Sequence, residues 1–195
     1  MTGKISRFDP RQRLGGFLSG EGGSAIVEGV VWLPVLLFAW LTVFGFWDVY
    51  RERATVQKAT FVAADLLSRE MVPVDTAYLD GLGRLIDRLS DKNMTVTKRY
   101  TLYRRNGSND SELSVIWSYA PNAGTPRDGA QLQSIASSLP KIRQGETAIL
   151  VETSATYAKT LTRPFESLVL GGTMETRVVL RPRFFPTVCL NAVSC

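Results

Sequence analysis

Nineteen consecutive residues, Gly29 to Trp47, carry no charge: GVVWLPVLLFAWLTVFGFW. At 1.5 Å per residue a helix of that length measures about 28 Å, close to the roughly 30 Å hydrocarbon core of a bilayer. A soluble core helix this long would show a polar stripe, and none is present. The expectation is a transmembrane helix over residues 24–47. A removable secretory signal fits less well. Such signals have apolar cores of about 7–15 residues and a small-residue cleavage site. This run passes directly into FWDVYRERATVQ.

The segment before the span, MTGKISRFDPRQRLGGFLSGEGG (residues 1–23), reads as a polar, basic leader without apolar periodicity. Lys4, Arg7, Arg11 and Arg13 precede the span, and Arg51, Arg53 and Lys58 follow it. The bias in basic residues favours a cytoplasmic N-terminus by a narrow margin. The chain's two cysteines, Cys189 and Cys195, lie in CLNAVSC. In an exported region such a close pair reads as a disulfide; the alternative is two free thiols on a frayed tail.

Beyond the span, DVYRERATVQKATFVAADLLSRE continues with good helix formers. Residues 48–72 are expected to extend the helix, with Tyr50, Ala54, Phe61, Val62 and Leu66 on its packing face and Pro73 ending it. Residues 73–195 read as an exported α+β domain. Asp75 is placed to cap a helix, DTAYLDGLGRLIDRLS, with Tyr78, Leu82, Leu85, Ile86 and Leu89 on one side. MTVTKRYTLYRR and SELSVIWSYA, joined by NGSND, form a hairpin, with Leu113, Val115, Trp117 and Tyr119 alternating as in a half-buried strand. AQLQSIASSL suggests a short helix. ETAILVETSATYAK and TMETRVVLRPRFF suggest two more strands, with a GG turn signal before the second. Pro182 demotes the end of that last strand to an edge or a bulge. The fold class expected is α+β: a long pilin-like N-terminal helix with an amphipathic extension, packed with an antiparallel sheet.

Catalytic chemistry finds little support. Histidine is absent, which removes the usual general base and the commonest metal ligand. Ser138-Leu139-Pro140-Lys141 matches an S-x-x-K pattern but lacks the accompanying S-D-N and K-T-G elements. The glycines of GLGRL sit in a helical pattern without the dinucleotide fingerprint, and the Arg104–Arg105 pair borders a turn. No enzyme, cofactor, metal, nucleic-acid or small-molecule function is expected.

Glu28 is the chemically distinctive residue. If the chain is cut between Gly23 and Ser24, Glu28 becomes the fifth residue, one turn from a new α-ammonium on the same helical face. A charge at the centre of a membrane helix costs roughly 2.5–3.5 kcal/mol and less near an end. Pairing amine with carboxylate, within a chain or between neighbours, recovers part of that and favours a particular stagger between subunits. The plainer reading is an acidic residue in a first turn complementing the helix dipole, worth about 0.3–1 kcal/mol. In that case the protein is an uncut, single-pass anchor whose exported domain binds another partner. Pro34 could likewise be a tolerated kink.

Gly23 followed by SAIVE resembles the G-x-x-x-x-E processing site of type IV prepilin-like proteins. GSAIVEGVVWLPVLL more specifically resembles the TadE-like pseudopilins of the Tad (tight adherence, Flp pilus) system, on Gly23, Ser24, Ala25, Val27, Glu28, Leu33 and Pro34. RPRFFP (Arg181 to Pro186) is similar to the R-P-R ending of related proteins. The resemblance is carried by residues 20–50 and is architectural beyond them. It implies that a membrane prepilin peptidase removes the leader at Gly23/Ser24. It also implies that Glu28 and Pro34 serve helix packing, and that the partners are other pilins, pseudopilins and Tad assembly proteins. The implied location is the bacterial inner membrane with the C-terminal domain periplasmic, or the pilus itself. Gly29 stands where Flp pilins carry tyrosine and TadE-like proteins often carry phenylalanine. That departure, with an added domain of roughly 120 residues, points away from a major pilin.

Overall fold

The computed structural model describes residues 22–90, 94–107, 112–122, 124–157, 173–191 and 195. Of the expected leader only Gly22 and Gly23 are among them. The NGSND turn lies largely outside the described residues, and the GG turn signal entirely so.

One helix, α1 (Gly22–Ser68), contains the whole apolar run and continues through Pro34. By Cα clustering the chain divides into two compact units, Met1–Trp47 and Asp48–Cys195, so α1 contributes to both. In the first unit α1 is apolar on all sides. Its described side chains from Ile26 to Leu41 are exposed, and Trp40 stacks on Phe44 with ring centroids 5.8 Å apart. By length and composition this is the one described helix able to cross a membrane.

The second unit is α+β. It comprises the rest of α1, α2 (Thr76–Leu89), β1 (Met94–Arg105), β2 (Leu113–Tyr119), α3 (Gly129–Ser134), a 3₁₀ turn (Ala136–Ser138), β3 (Thr147–Tyr157) and β4 (Thr173–Leu180). The strands form one antiparallel sheet in the order β2-β1-β3-β4. Helices α1 and α2 cover one face. Tyr100 and Leu102 of β1, Trp117 of β2, and Ile149, Val151 and Ala155 of β3 meet Val56, Ala59, Ala63, Ala64 and Leu67 of α1. Leu79, Leu82 and Ile86 of α2 complete this core. A smaller core on the opposite face gathers Tyr103, Leu113, Ala148 and Leu150 under Leu132, Leu139 and Ile142.

Three expectations need correction. First, α1 does not pack through the face expected. Tyr50 is 73% and Phe61 51% exposed, Val62 and Leu66 are also exposed, and Ala54 is half-buried. The sheet is met instead by a stripe of small residues, which lets the helix lie close. Within the stripe the Thr60 hydroxyl bonds the Thr153 hydroxyl at 2.8 Å. Second, α1 stops at Ser68, short of residue 72. The Arg69 and Glu70 amides turn back to the Leu66 and Leu67 carbonyls, while the Ser68 carbonyl accepts from the Arg183 amide at 2.9 Å. Third, β2 does not present one alternating face. Leu102 pairs with Trp117 but Tyr103 with Val115, so Ile116 is the extra residue of a β-bulge. The bulge reverses the alternation: Leu113 and Val115 join the smaller core, Trp117 and Tyr119 the larger.

Helix α2 follows its sequence signals. The Asp75 carboxylate accepts from the Tyr78 amide at 2.7 Å, and Leu82 and Ile86 are buried as expected. Leu79 replaces Leu89 on the buried face; Leu89 is exposed. The sheet strand β4 ends at Leu180, two residues before Pro182.

The C-terminal segment closes the junction between α1 and α2. Val74 donates to the Cys189 carbonyl at 2.9 Å and accepts from the Asn191 amide at 2.8 Å. The indole of Trp117 donates to the Val188 carbonyl at 2.7 Å. Cys189 and Cys195 form a disulfide with Cα atoms 4.7 Å apart, the pairing the spacing suggests. Replacing both cysteines with serine is expected to lower stability by about 2 kcal/mol, the chain-entropy value for so short a loop. Urea unfolding of the detergent-solubilised protein followed by circular dichroism measures the change.

Candidate functional site

Two places combine chemistry with position. The first is the head of α1. Gly23, Ser24 and Glu28 lie within the helix, as does Pro34. Glu28 is exposed and is the only charged residue between Ser24 and Trp47. Gly29, next to it, has open space where a side chain would be. It begins a shallow apolar notch lined by Trp32, Leu33, Leu36, Leu37 and Trp40. Ser24 and Glu28 are four residues apart on α1 and therefore share a face. Cys189 and Cys195 belong to the second unit.

The second place is on the sheet face opposite α1. Register puts Arg99 of β1 opposite Glu152 of β3, and Glu152 opposite Arg177 of β4. The three side chains therefore form a row across the sheet. Arg127 enters from the loop before α3. Its amide donates to the Ser118 hydroxyl at 2.8 Å, and one guanidinium nitrogen donates to the Gln131 carbonyl at 2.8 Å. So held, it makes a bidentate pair with Glu152: Nε to Oε2 and Nη2 to Oε1, each 2.8 Å. Arg99 and Arg177 reach the same carboxylate at 3.5 and 3.3 Å. The Glu152 side chain is 11% exposed and that of Arg127 8%. Arg99 also donates to the Thr125 carbonyl, and Arg177 pairs with the exposed Glu175.

A cleft of about 340 Å³ lies over this row, lined also by Thr97, Gly124, Thr125 and Ser154. Lys98 borders it, but its ammonium pairs with Asp87 of α2. Nothing in the linear sequence marked this cluster, because Arg99, Arg127, Glu152 and Arg177 come together only once strand register is fixed. A hint existed in TAILVETSATY: Glu152 interrupts an otherwise uncharged strand.

Comparison with protein-family models, with curated proteins and with solved structures finds no match for the chain. Its function is therefore argued from its own residues.

The remaining sequence candidates have ordinary partners. Ser138 of the S-x-x-K match donates its hydroxyl to the Ile135 carbonyl at 2.7 Å, closing the 3₁₀ turn. Arg105 donates to the carbonyls of Gly107 and Ile142 beside the hairpin end. Four described tyrosines hold their protons more tightly than usual, Tyr78 through burial and its hydrogen bond to Glu70. Burial pushes Tyr103 up to about 12, against the nearby charge of Arg181. Burial, then Asp87 and Asp80, raises Tyr100. For Tyr119 the cause is chiefly its hydrogen bond to Asp80.

Proposed function

We propose that this chain is a minor pseudopilin or pilus-assembly component of a Tad-type (Flp) type IV pilus system, similar to the TadE-like proteins. The observation that carries the reading is the head of α1. A helix apolar on every side has a single charged residue, Glu28, in the run that follows the Gly23–Ser24 junction. On this reading a prepilin peptidase cuts after Gly23. The freed amine of Ser24 and the Glu28 carboxylate then neutralise each other near membrane depth, and apolar helices pack side by side in the inner membrane. The second unit works in the periplasm, where it meets other pilins, pseudopilins and assembly proteins. The role is in building an adhesive fibre and in surface attachment, not in chemical conversion.

Mass spectrometry of the membrane-bound protein tests the reading. The expected mature chain begins at Ser24, and Gly23→Ala leaves the leader attached. Glu28→Ala is expected to be cut normally yet to reduce fibre number in cells by at least tenfold. An intact leader in cells that make normal fibres would instead favour an uncut single-pass anchor whose exported domain serves another partner. Full piliation with Glu28→Ala would remove the pairing of amine and carboxylate from the mechanism.

A further inference from the structure

We propose that the arginine-lined cleft on the outer sheet face is a binding site for a carboxylate side chain presented by an extended acidic segment of another protein. The charge balance is the starting point. Among the described residues, Arg99, Arg127 and Arg177 face two carboxylates, Glu152 and Glu175, which leaves one positive charge over. Arg127 makes the two shortest bonds to Glu152, one to each oxygen. Arg99 and Arg177 make longer contacts with it, at 3.5 and 3.3 Å. A guanidinium is always charged and carries five N–H donors. Among the described residues, the hydrogen bonds and ion pairs of Arg99 engage two of its nitrogens, Nε and Nη1. An additional carboxylate settling between Arg99 and Arg177 would restore neutrality and take shorter, charge-assisted bonds from both.

The surroundings suit an extended chain more than a compact ion. The cleft spans β1, β3 and β4, from Thr97 and Arg99 to Glu175 and Arg177, and at about 340 Å³ it is larger than a compact ion needs. Thr97 and Ser154 line it on the same sheet face as Arg99 and Glu152, with Gly124 and Thr125 beside them, so polar groups border the arginines. Arg127 and Glu152 are nearly buried and fixed, so they form the floor. Arg177, 38% exposed, can move to meet a ligand. The proposal concerns the second unit alone and does not depend on the pilus reading.

The test uses the full chain in detergent micelles and a fluorescein-labelled Gly-Glu-Gly-Glu-Gly peptide, read by fluorescence anisotropy. The glutamate peptide is expected to bind at least tenfold more tightly than the same peptide with glutamine. Binding should weaken by at least threefold between 50 and 200 mM salt, as a screened charge contact does. Arg99→Gln and Arg177→Gln should each weaken it by at least tenfold while the thermal unfolding temperature stays within a few degrees. Equal binding of the glutamate and glutamine peptides would overturn the proposal, as would no binding of either at millimolar peptide. Complete displacement by inorganic phosphate at a concentration equal to the peptide would overturn it too, in favour of a small free anion. The peptide comparison is made on the unaltered protein, so it decides the matter even if an arginine variant fails to fold.

Discussion

Glu152→Ala is expected to destabilise the second unit by about 3 kcal/mol, the lower end of the cost of breaking a buried ion pair by removing one partner. The lower end is appropriate because Arg99 and Arg177 are partly exposed, and water screens part of their mutual repulsion. Three guanidiniums remain around the vacated position. Arg127, 8% exposed, loses both of its short bonds to the carboxylate and has little access to water. Glu152→Gln keeps the volume and one acceptor, so it should cost less than the alanine variant, though it leaves the same excess of positive charge. Urea unfolding with both variants measures the difference. A loss below about 1 kcal/mol for alanine would mean that the row is solvated in practice. Adding Arg127→Ala to Glu152→Ala should recover part of the loss, since the two groups are coupled and their effects do not add.

Trp117→Ala is expected to cost about 3–5 kcal/mol, the usual range for truncating a buried large aromatic. Trp117 is 4% exposed, and it links β2 to the C-terminal segment through its bond to the Val188 carbonyl. Two losses therefore combine: a cavity under α1 and α2, and a carbonyl left without its donor. Trp117→Phe separates them. It retains most of the apolar volume and removes only the indole N–H, so about 1–3 kcal/mol is expected from the unsatisfied carbonyl and the smaller ring. If the phenylalanine variant were as stable as the original, the bond to Val188 would contribute nothing net. Denaturant midpoints at unchanged m-value measure both steps.

Local signals read well in this chain. The apolar run marked the long helix and Asp75 the start of α2. The buried face of α1 is not the one that Tyr50, Phe61, Val62 and Leu66 mark in the sequence. Val56, Ala59, Ala63, Ala64 and Leu67 meet the sheet instead, a set in which alanine carries no strong periodic signal. The bulge at Ile116 left no mark, because Leu113, Val115, Trp117 and Tyr119 alternate perfectly on paper. One inserted residue in the pairing turns the first two to the other side. The arginine row was invisible for a related reason: it depends on which residues of β1, β3 and β4 stand opposite one another, and on a loop residue from outside the sheet. The candidate residues at the head of α1 could be read directly, because four positions along a helix are neighbours by geometry alone.

The stitching of residues 183–191 onto Ser68 and Val74 sets an order of events during synthesis. Arg183 reaches back 118 positions to Asp65, and Val188 supplies the acceptor for an indole 71 positions earlier. The two helices that leave the ribosome first thus stay unclasped until the far end of the chain has emerged. A nascent chain halted before residue 183 would hold a complete membrane-length helix attached to an unfinished, protease-sensitive body.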